Sequence, residues 1–206
     1  MKRCFDVFIS LILLLLFSPI FLIIGIMIKM TSKGSILFTQ MRIGKNNELY
    51  KFYKFRTMKI GTPNVATDKL KGAQIYITPV GKVLRKTSLD ELPQLINILK
   101  GDMTFVGPRP ALYNQYNLKE LRSKAGVHKL LPGVTGWAQI NGRDNNDDVQ
   151  KTELDKYYLE NKSLSLDMKI LFMTVFKVLR AEGIVDGNAN TNTITVQENK
   201  NQTISE

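Results

Sequence analysis

The sequence predicts an α+β fold, mostly helical, built behind an N-terminal membrane-embedded helix. Three observations carry this. Residues 7–28 are almost entirely Leu, Ile, Phe, Val and Met, about long enough for a membrane helix. Two runs rich in β-branched and aromatic residues, 36–43 and 49–58, flank Gly44-Lys45-Asn46-Asn47, the pattern of a short β-hairpin. Beyond residue 90, apolar positions recur at helical spacing. The chain divides into a membrane helix with basic flanks (1–33), a small domain (34–186) and a tail (187–206). The tail is rich in Asn, Thr and Gln and is expected to be disordered.

The apolar run does not read as a secretory signal, because it is too long and no small-residue cleavage pattern follows. A buried core helix is the plainer alternative, but no polar face interrupts the run. Ser18-Pro19 sits near its middle, and proline bends a helix by removing a donor and crowding the preceding turn. Lys2 and Arg3 precede the run, and Lys29 and Lys33 follow it. Basic residues prefer the cytoplasmic side. A helix that bends and returns satisfies both flanks; a tilted, kinked spanning helix satisfies length alone. Composition leaves these two open.

In the hairpin, Lys54 and Arg56 share a strand face and read most simply as charges guarding a solvated edge. Residues 61–74 are polar and aperiodic, a loop. Leu92, Leu95, Ile96 and Leu99 form a helical stripe that Gly101 can stop. Residues 103–110 are a short apolar segment closing in Gly107-Pro108-Arg109-Pro110. Helices are expected over 113–125, 152–159 and 167–181. In the last, Ile170, Leu171, Val175, Val178 and Leu179 lie on one side, with Lys169, Lys177 and Arg180 nearby. This suits an interfacial amphipathic helix on anionic lipid, or equally a core-facing one.

The chain has 206 residues and 29 Lys+Arg against 18 Asp+Glu, a formal charge of +11. Such a surplus suits an anionic partner: nucleic acid, lipid surface or phosphorylated substrate. Cys4 is the only cysteine and His128 the only histidine. An internal disulfide and a multi-histidine metal site are thereby excluded. There is no P-loop, dinucleotide fingerprint or zinc spacing. The aromatics and cations of residues 50–56 could stack on single-stranded nucleic acid, but a hydrophobic anchor argues against that partner.

The most informative segment is Arg85-Lys86-Thr87-Ser88-Leu89-Asp90-Glu91-Leu92-Pro93. Read alone, Ser88 and Glu91 match a capping box, and Pro93 favours a helix start near Asp90. Acids there complement the helix dipole. Near Arg85 and Lys86, Asp90 is expected to be ionised at neutral pH. An ionised aspartate can attack phosphorus and is a hard ligand suited to Mg²⁺. Attack on a diphosphate also needs cations, and Arg109, stiffened by two prolines, is a candidate. A glycosidase pair fits poorly, because adjacent helical residues diverge by about 100°.

Six ordered blocks then carry a resemblance: FTQMRIG (38–44), YKFRTM (53–58), LRKTSLDELPQLINILKGDM (84–103), VGPRP (106–110), PGVTGWAQINGR (132–143) and LSLDMKI (164–170). With the Ser18-Pro19 pair, the chain resembles the monotopic bacterial phosphoglycosyl transferases in their minimal form. The resemblance implies that the N-terminal helix is re-entrant and that the domain is catalytic, at the cytoplasmic face of the bacterial inner membrane. It implies that Asp90 displaces UMP from a UDP-sugar to give a phosphosugar-aspartate. Polyprenyl phosphate then accepts the phosphosugar. Mg²⁺ would bridge Asp90 and the diphosphate, and Glu91 completes the acidic pair. Lys54, Arg85, Arg109 and Asp167 fall on polar active-site positions, with Gln139 and Arg143 as further substrate contacts. The partners implied are UDP-sugar, polyprenyl phosphate and membrane lipids, without nucleic acid. Monomer and homodimer stay open, as does the sugar. The rival is a non-catalytic anchored protein whose basic surface binds polyanions or lipid headgroups.

Overall fold

The computed structural model describes residues 2–63, 70, 72–142 and 146–180. The expected tail and part of the 61–74 loop lie outside these residues. The described chain is mostly helical, as the sequence predicts.

The first helix, α1 (Lys2–Thr31), continues through Pro19. Proline cannot donate to the carbonyl four residues back, that of Leu15. The Ser18 hydroxyl donates to this carbonyl instead, at 2.8 Å. Ser-Pro thus repairs, with a side chain, the bond that its own proline removes.

One face of α1 packs on the rest of the chain along nearly its whole length. Lys2 Nζ donates to Asp167 Oδ2 at 2.7 Å and to the Val106 carbonyl at 3.0 Å. The Arg3 guanidinium donates to the carbonyls of Ile98 and Leu99. Buried Asp6 accepts from the Thr104 hydroxyl at 2.6 Å. Leu13 and Leu14 pack on the cluster of Leu95, Ile98 and Met103. Ile20, Phe21, Ile24 and Ile28 join Phe55, Val80 and Leu84. The opposite face is apolar and exposed, including Phe8, Leu15, Leu16 and Leu22.

Strands β1 (Leu37–Ile43) and β2 (Leu49–Phe55) form the expected antiparallel hairpin, pairing Phe38 with Lys54 and Arg42 with Tyr50. Their turn places Asn46 and Asn47 at φ 55° and 64°, a left-handed conformation that asparagine tolerates. Helix α2 (Ala73–Tyr76) is a single turn; α3 (Pro79–Lys86) starts on Pro79 behind a Thr78 cap. Helix α4 (Gln94–Lys100) ends at Gly101, φ 98°, as the stripe predicts. Buried Asn97 stitches α4 to β2: it donates to the Lys51 carbonyl at 2.7 Å and accepts from Tyr53 N–H at 3.1 Å.

Strands β3 (Thr104–Val106) and β4 (Gly133–Thr135) pair in parallel. Between them lies α5 (Tyr116–Lys124). Helices α6 (Trp137–Ile140), α7 (Asp148–Asn161) and α8 (Leu164–Leu179) complete the described fold. α5, α7 and α8 are the three expected helices; α7 extends well past its predicted limits because Asp147 and Gln150 form a capping box upstream. On α8, Ile170 is buried with Val106, Ile140 and Tyr158. Its outer face is also apolar: Leu164, Met168, Phe172 and Phe176 are exposed.

Candidate active site

The acidic pair lies on a one-turn 3₁₀ segment, Leu89–Glu91, between α3 and α4. The expected capping box is absent. Ser88 sits at φ 57° in the left-handed region and its side chain makes no cap. The α-helix starts later, at Gln94, with Pro93 before it. A 3₁₀ turn separates adjacent side chains by about 120°, so Asp90 and Glu91 face different surroundings.

Asp90 is 7 % exposed. Burial and then the Glu91 charge push its carboxyl up to about 6, while Lys54, Arg85 and Arg109 pull it down. The sequence led us to expect cations to dominate; burial dominates instead. At neutral pH the group is still mainly ionised.

The surrounding cations come from three elements. Lys54, on β2, is half-buried, with its Nζ 5.6 Å from the Phe38 ring centroid. Desolvation lowers its pKa and Asp90 raises it. The expectation of a solvated edge for Lys54 and Arg56 is thereby overturned. Arg56 lies just past the end of β2, is buried, and donates to the Ser32 carbonyl and hydroxyl, both at 2.9 Å. Arg85, in the last turn of α3, has Nη1 buried with no hydrogen-bond partner among the described residues. Neighbouring Lys86 is exposed.

Arg109 reaches Glu91 directly, Nη2 to Oε1 at 3.1 Å. Its backbone is held from both sides. Arg122 Nη1 donates to the Arg109 carbonyl at 2.8 Å, and Arg42 Nη1 donates to the Pro110 carbonyl at 3.0 Å. Arg122 also forms a buried ion pair with Asp155 on α7, Nη2 to Oδ2 at 2.6 Å. Gly107 N–H donates to the Thr135 carbonyl, fixing the turn to β4.

Sequence reasoning missed Arg42, Arg122 and Tyr50. Arg42 is lowered to about 10 by desolvation and then by Arg109, and it packs over Phe52. Tyr50, its cross-strand partner, is raised by burial, and its hydroxyl has no hydrogen-bond partner among the described residues. The period-two pattern of the hairpin contained the signal for Arg42: it stands directly opposite buried Tyr50.

Gln139 lines the same cavity as Glu91 and Arg109. Its Nε2 donates to the Val134 carbonyl at 2.9 Å, while buried Oε1 lacks a partner among the described residues. Asp167 is engaged elsewhere. Its oxygens take Lys2 at 2.7 Å and the Tyr158 hydroxyl at 2.6 Å, so it anchors the start of α1. Arg143 lies outside the described residues.

The sequence model of the family described as bacterial sugar transferase matches residues 1–181. The chain is 41% identical to an uncharacterized sugar transferase of Bacillus subtilis over 188 residues, covering 91% of this chain and 92% of that protein. It is 42% identical over 183 residues to a UDP-glucose:undecaprenyl-phosphate glucose-1-phosphate transferase of Klebsiella pneumoniae, covering 85% of this chain and 39% of that one. It is 38% identical over 188 residues to a UDP-N-acetylgalactosamine-undecaprenyl-phosphate N-acetylgalactosaminephosphotransferase of Aeromonas hydrophila, covering 88% of this chain and 44% of that one. The chain thus spans nearly all of the first relative and less than half of the other two. With a family match running from α1 through α8 and this identity along the same stretch, the chain belongs to the bacterial sugar transferase family.

Proposed function

We propose that the chain transfers a sugar 1-phosphate from a UDP-sugar to polyprenyl (undecaprenyl) phosphate through a covalent intermediate on Asp90, starting surface glycan synthesis. The observation that carries this is a buried, mainly ionised carboxylate set among Lys54, Arg85 and Arg109. A buried acid with cations from three elements suits attack on an anionic diphosphate. The named relatives act on undecaprenyl phosphate and differ in the sugar, so the sugar is left unassigned.

In the first step an Asp90 carboxylate oxygen bonds to the β-phosphorus. The bond from that phosphorus to the bridging oxygen breaks, and UMP leaves with the oxygen. In the second step an oxygen of polyprenyl phosphate attacks the same phosphorus. The Asp90–phosphorus bond breaks and the carboxylate is regenerated. Lys54, Arg85 and Arg109 hold and neutralise the phosphate oxygens throughout. Mg²⁺ fits the donor set, because adjacent carboxylates repel each other and this ion favours one or two carboxylates completed by substrate phosphates. Asp90 would hold the ion, which would supply charge neutralisation at the diphosphate.

The packing of α1 supports a helix that enters one leaflet and returns. A crossing needs about 20 residues in lipid. The longest stretch of α1 without domain packing is the short segment around Ser18-Pro19, between Leu14 and Ile20. The basic flanks then lie together on the cytoplasmic side of the inner membrane, and the exposed faces of α1 and α8 meet lipid.

The test is single-turnover release of UMP from a panel of UDP-sugars. Asp90→Asn is expected to lower it by at least about a thousandfold while the fold is retained. Release at the wild-type rate would remove Asp90 as nucleophile and favour a binding protein.

A further inference from the structure

We propose that the cavity between α1 and α8 binds the acceptor lipid, taking the isoprene units nearest its phosphate and placing that phosphate at Arg109. This rests on the transferase reading above. The cavity measures about 300 Å³, at the small end of ligand pockets. Its wall is largely apolar: Leu13 from α1, Leu95 and Phe105 beneath, and Leu171, Val175 and Val178 from α8. Ser88, Thr135, Gln139 and Thr174 also line it, but a nucleotide diphosphate set among these mainly aliphatic side chains would lose more hydration than they return. An isoprenoid chain would lose none.

The polar part of the wall is equally selective. Glu91 and Arg109 meet in it as an ion pair, and Lys177 adds a cation with no carboxylate partner among the described residues. One phosphate monoester fits that charge balance. Its attachment to an apolar chain fits the rest. The chain's exit is also supplied. Lys177 borders a second, apolar hollow lined by Phe172, Met173 and Phe176 of α8, so a long lipid leaves the cavity onto a surface of its own polarity.

The 3₁₀ turn explains how donor and acceptor stay apart. Asp90, Lys54 and Arg85 are absent from the cavity wall, while Glu91 and Arg109 line it. With adjacent side chains about 120° apart, the pair faces the soluble donor on one side and the lipid on the other. Glu91 and Arg109 are then the boundary across which the phosphosugar passes.

Plugging the cavity from two different helices tests this. Leu13→Trp and Val178→Trp are made in the full chain, with Leu15→Trp on the exposed face of α1 as control. UMP release without acceptor and transfer to acceptor are measured separately, in detergent. The plugs are expected to leave UMP release within about twofold and to raise KM for polyprenyl phosphate about tenfold or more. The same rise is expected with an acceptor of two isoprene units, because only the first units enter. Unchanged transfer in both plugs would overturn the assignment. So would a rise confined to the long acceptor, or an equal loss of UMP release in both plugs, which would put the donor in the cavity. Absence of UMP release from the wild-type chain would instead overturn the transferase reading on which the proposal rests.

Discussion

In the proposed mechanism the reactivity of Asp90 rests on a balance that can be moved in either direction. Burial and Glu91 hold it near 6; Lys54, Arg85 and Arg109 oppose them. A nucleophile must be ionised, so single-turnover UMP release is expected to fall as pH drops through about 6. Glu91→Gln removes a raising neighbour and should move the inflection to lower pH. Lys54→Met removes a lowering neighbour and should move it higher. An inflection that stays put in both variants would mean that another group titrates. The stability linkage has the opposite sign: with a folded value near 6, above the ordinary 3.8 of the carboxyl, stability is lost as pH rises between them and is level above. Little of this balance was legible in the sequence. The Ser88–Glu91 spacing carries a genuine capping signal, yet Ser88 at φ 57° cannot use it. Of Arg85 and Lys86, only the first turns inward, which helical divergence anticipates but composition does not say. Lys54 looked exposed because a two-stranded hairpin has no visible inner face until α3 and α4 cover it.

Elements too short to show a period are where the sequence falls silent. β3 and β4 contribute three residues each and pair across some thirty positions of chain; α3 is eight residues with a glycine inside. The hairpin, by contrast, announces itself locally through its turn. Yet the silent elements hold the cations in place. A Cβ on Gly81 would overlap the Thr57 carbonyl, so α3 can approach the backbone that follows β2 only with glycine at position 81. Gly81→Ala is expected to cost about 1–3 kcal/mol in urea denaturation and to slow UMP release by displacing Arg85. Arg122 does the same work for Arg109. Its guanidinium joins α5 to Asp155 on α7 and to the Arg109 carbonyl. Arg122→Met leaves the Asp155 carboxylate, already raised by burial, without its partner and should destabilise the fold by about 3–5 kcal/mol. Arg122→Lys keeps the charge but loses the fork that serves two acceptors at once. A lysine variant as active as wild type would show that charge alone positions the turn.

At the scale of the molecule, the proposed function gives α1 the task of setting how the site meets its substrates. Hydropathy reads it correctly as apolar and cannot see that it has two different faces. One carries Asp6, Ser10, Ile24 and Ile28, buried against the domain; the other carries Phe8, Leu15 and Leu22, exposed. Asp6 and Ser10 are the clue within the sequence, since polar side chains four apart share a helix face, and both lie on the packed side. Lys2 at one end and Ile28 at the other both pack on the same small domain, and the proposed re-entrant arrangement keeps both ends on one side of the bilayer. This gives a labelling experiment with a fixed outcome. Cys4 is exposed and the only native cysteine, so it reports the first end. Ser35→Cys in a Cys4→Ser background reports the second. Labelling in detergent sets the full signal for each. In intact cells neither position should react with a membrane-impermeant maleimide, and after permeabilisation both should. Reaction of one end alone from outside would place the ends on opposite faces. The contacts of Lys2 with Asp167 and of Ile28 with Phe55 could then not coexist, and the shared approach of soluble donor and lipid acceptor to Asp90 would lose its basis.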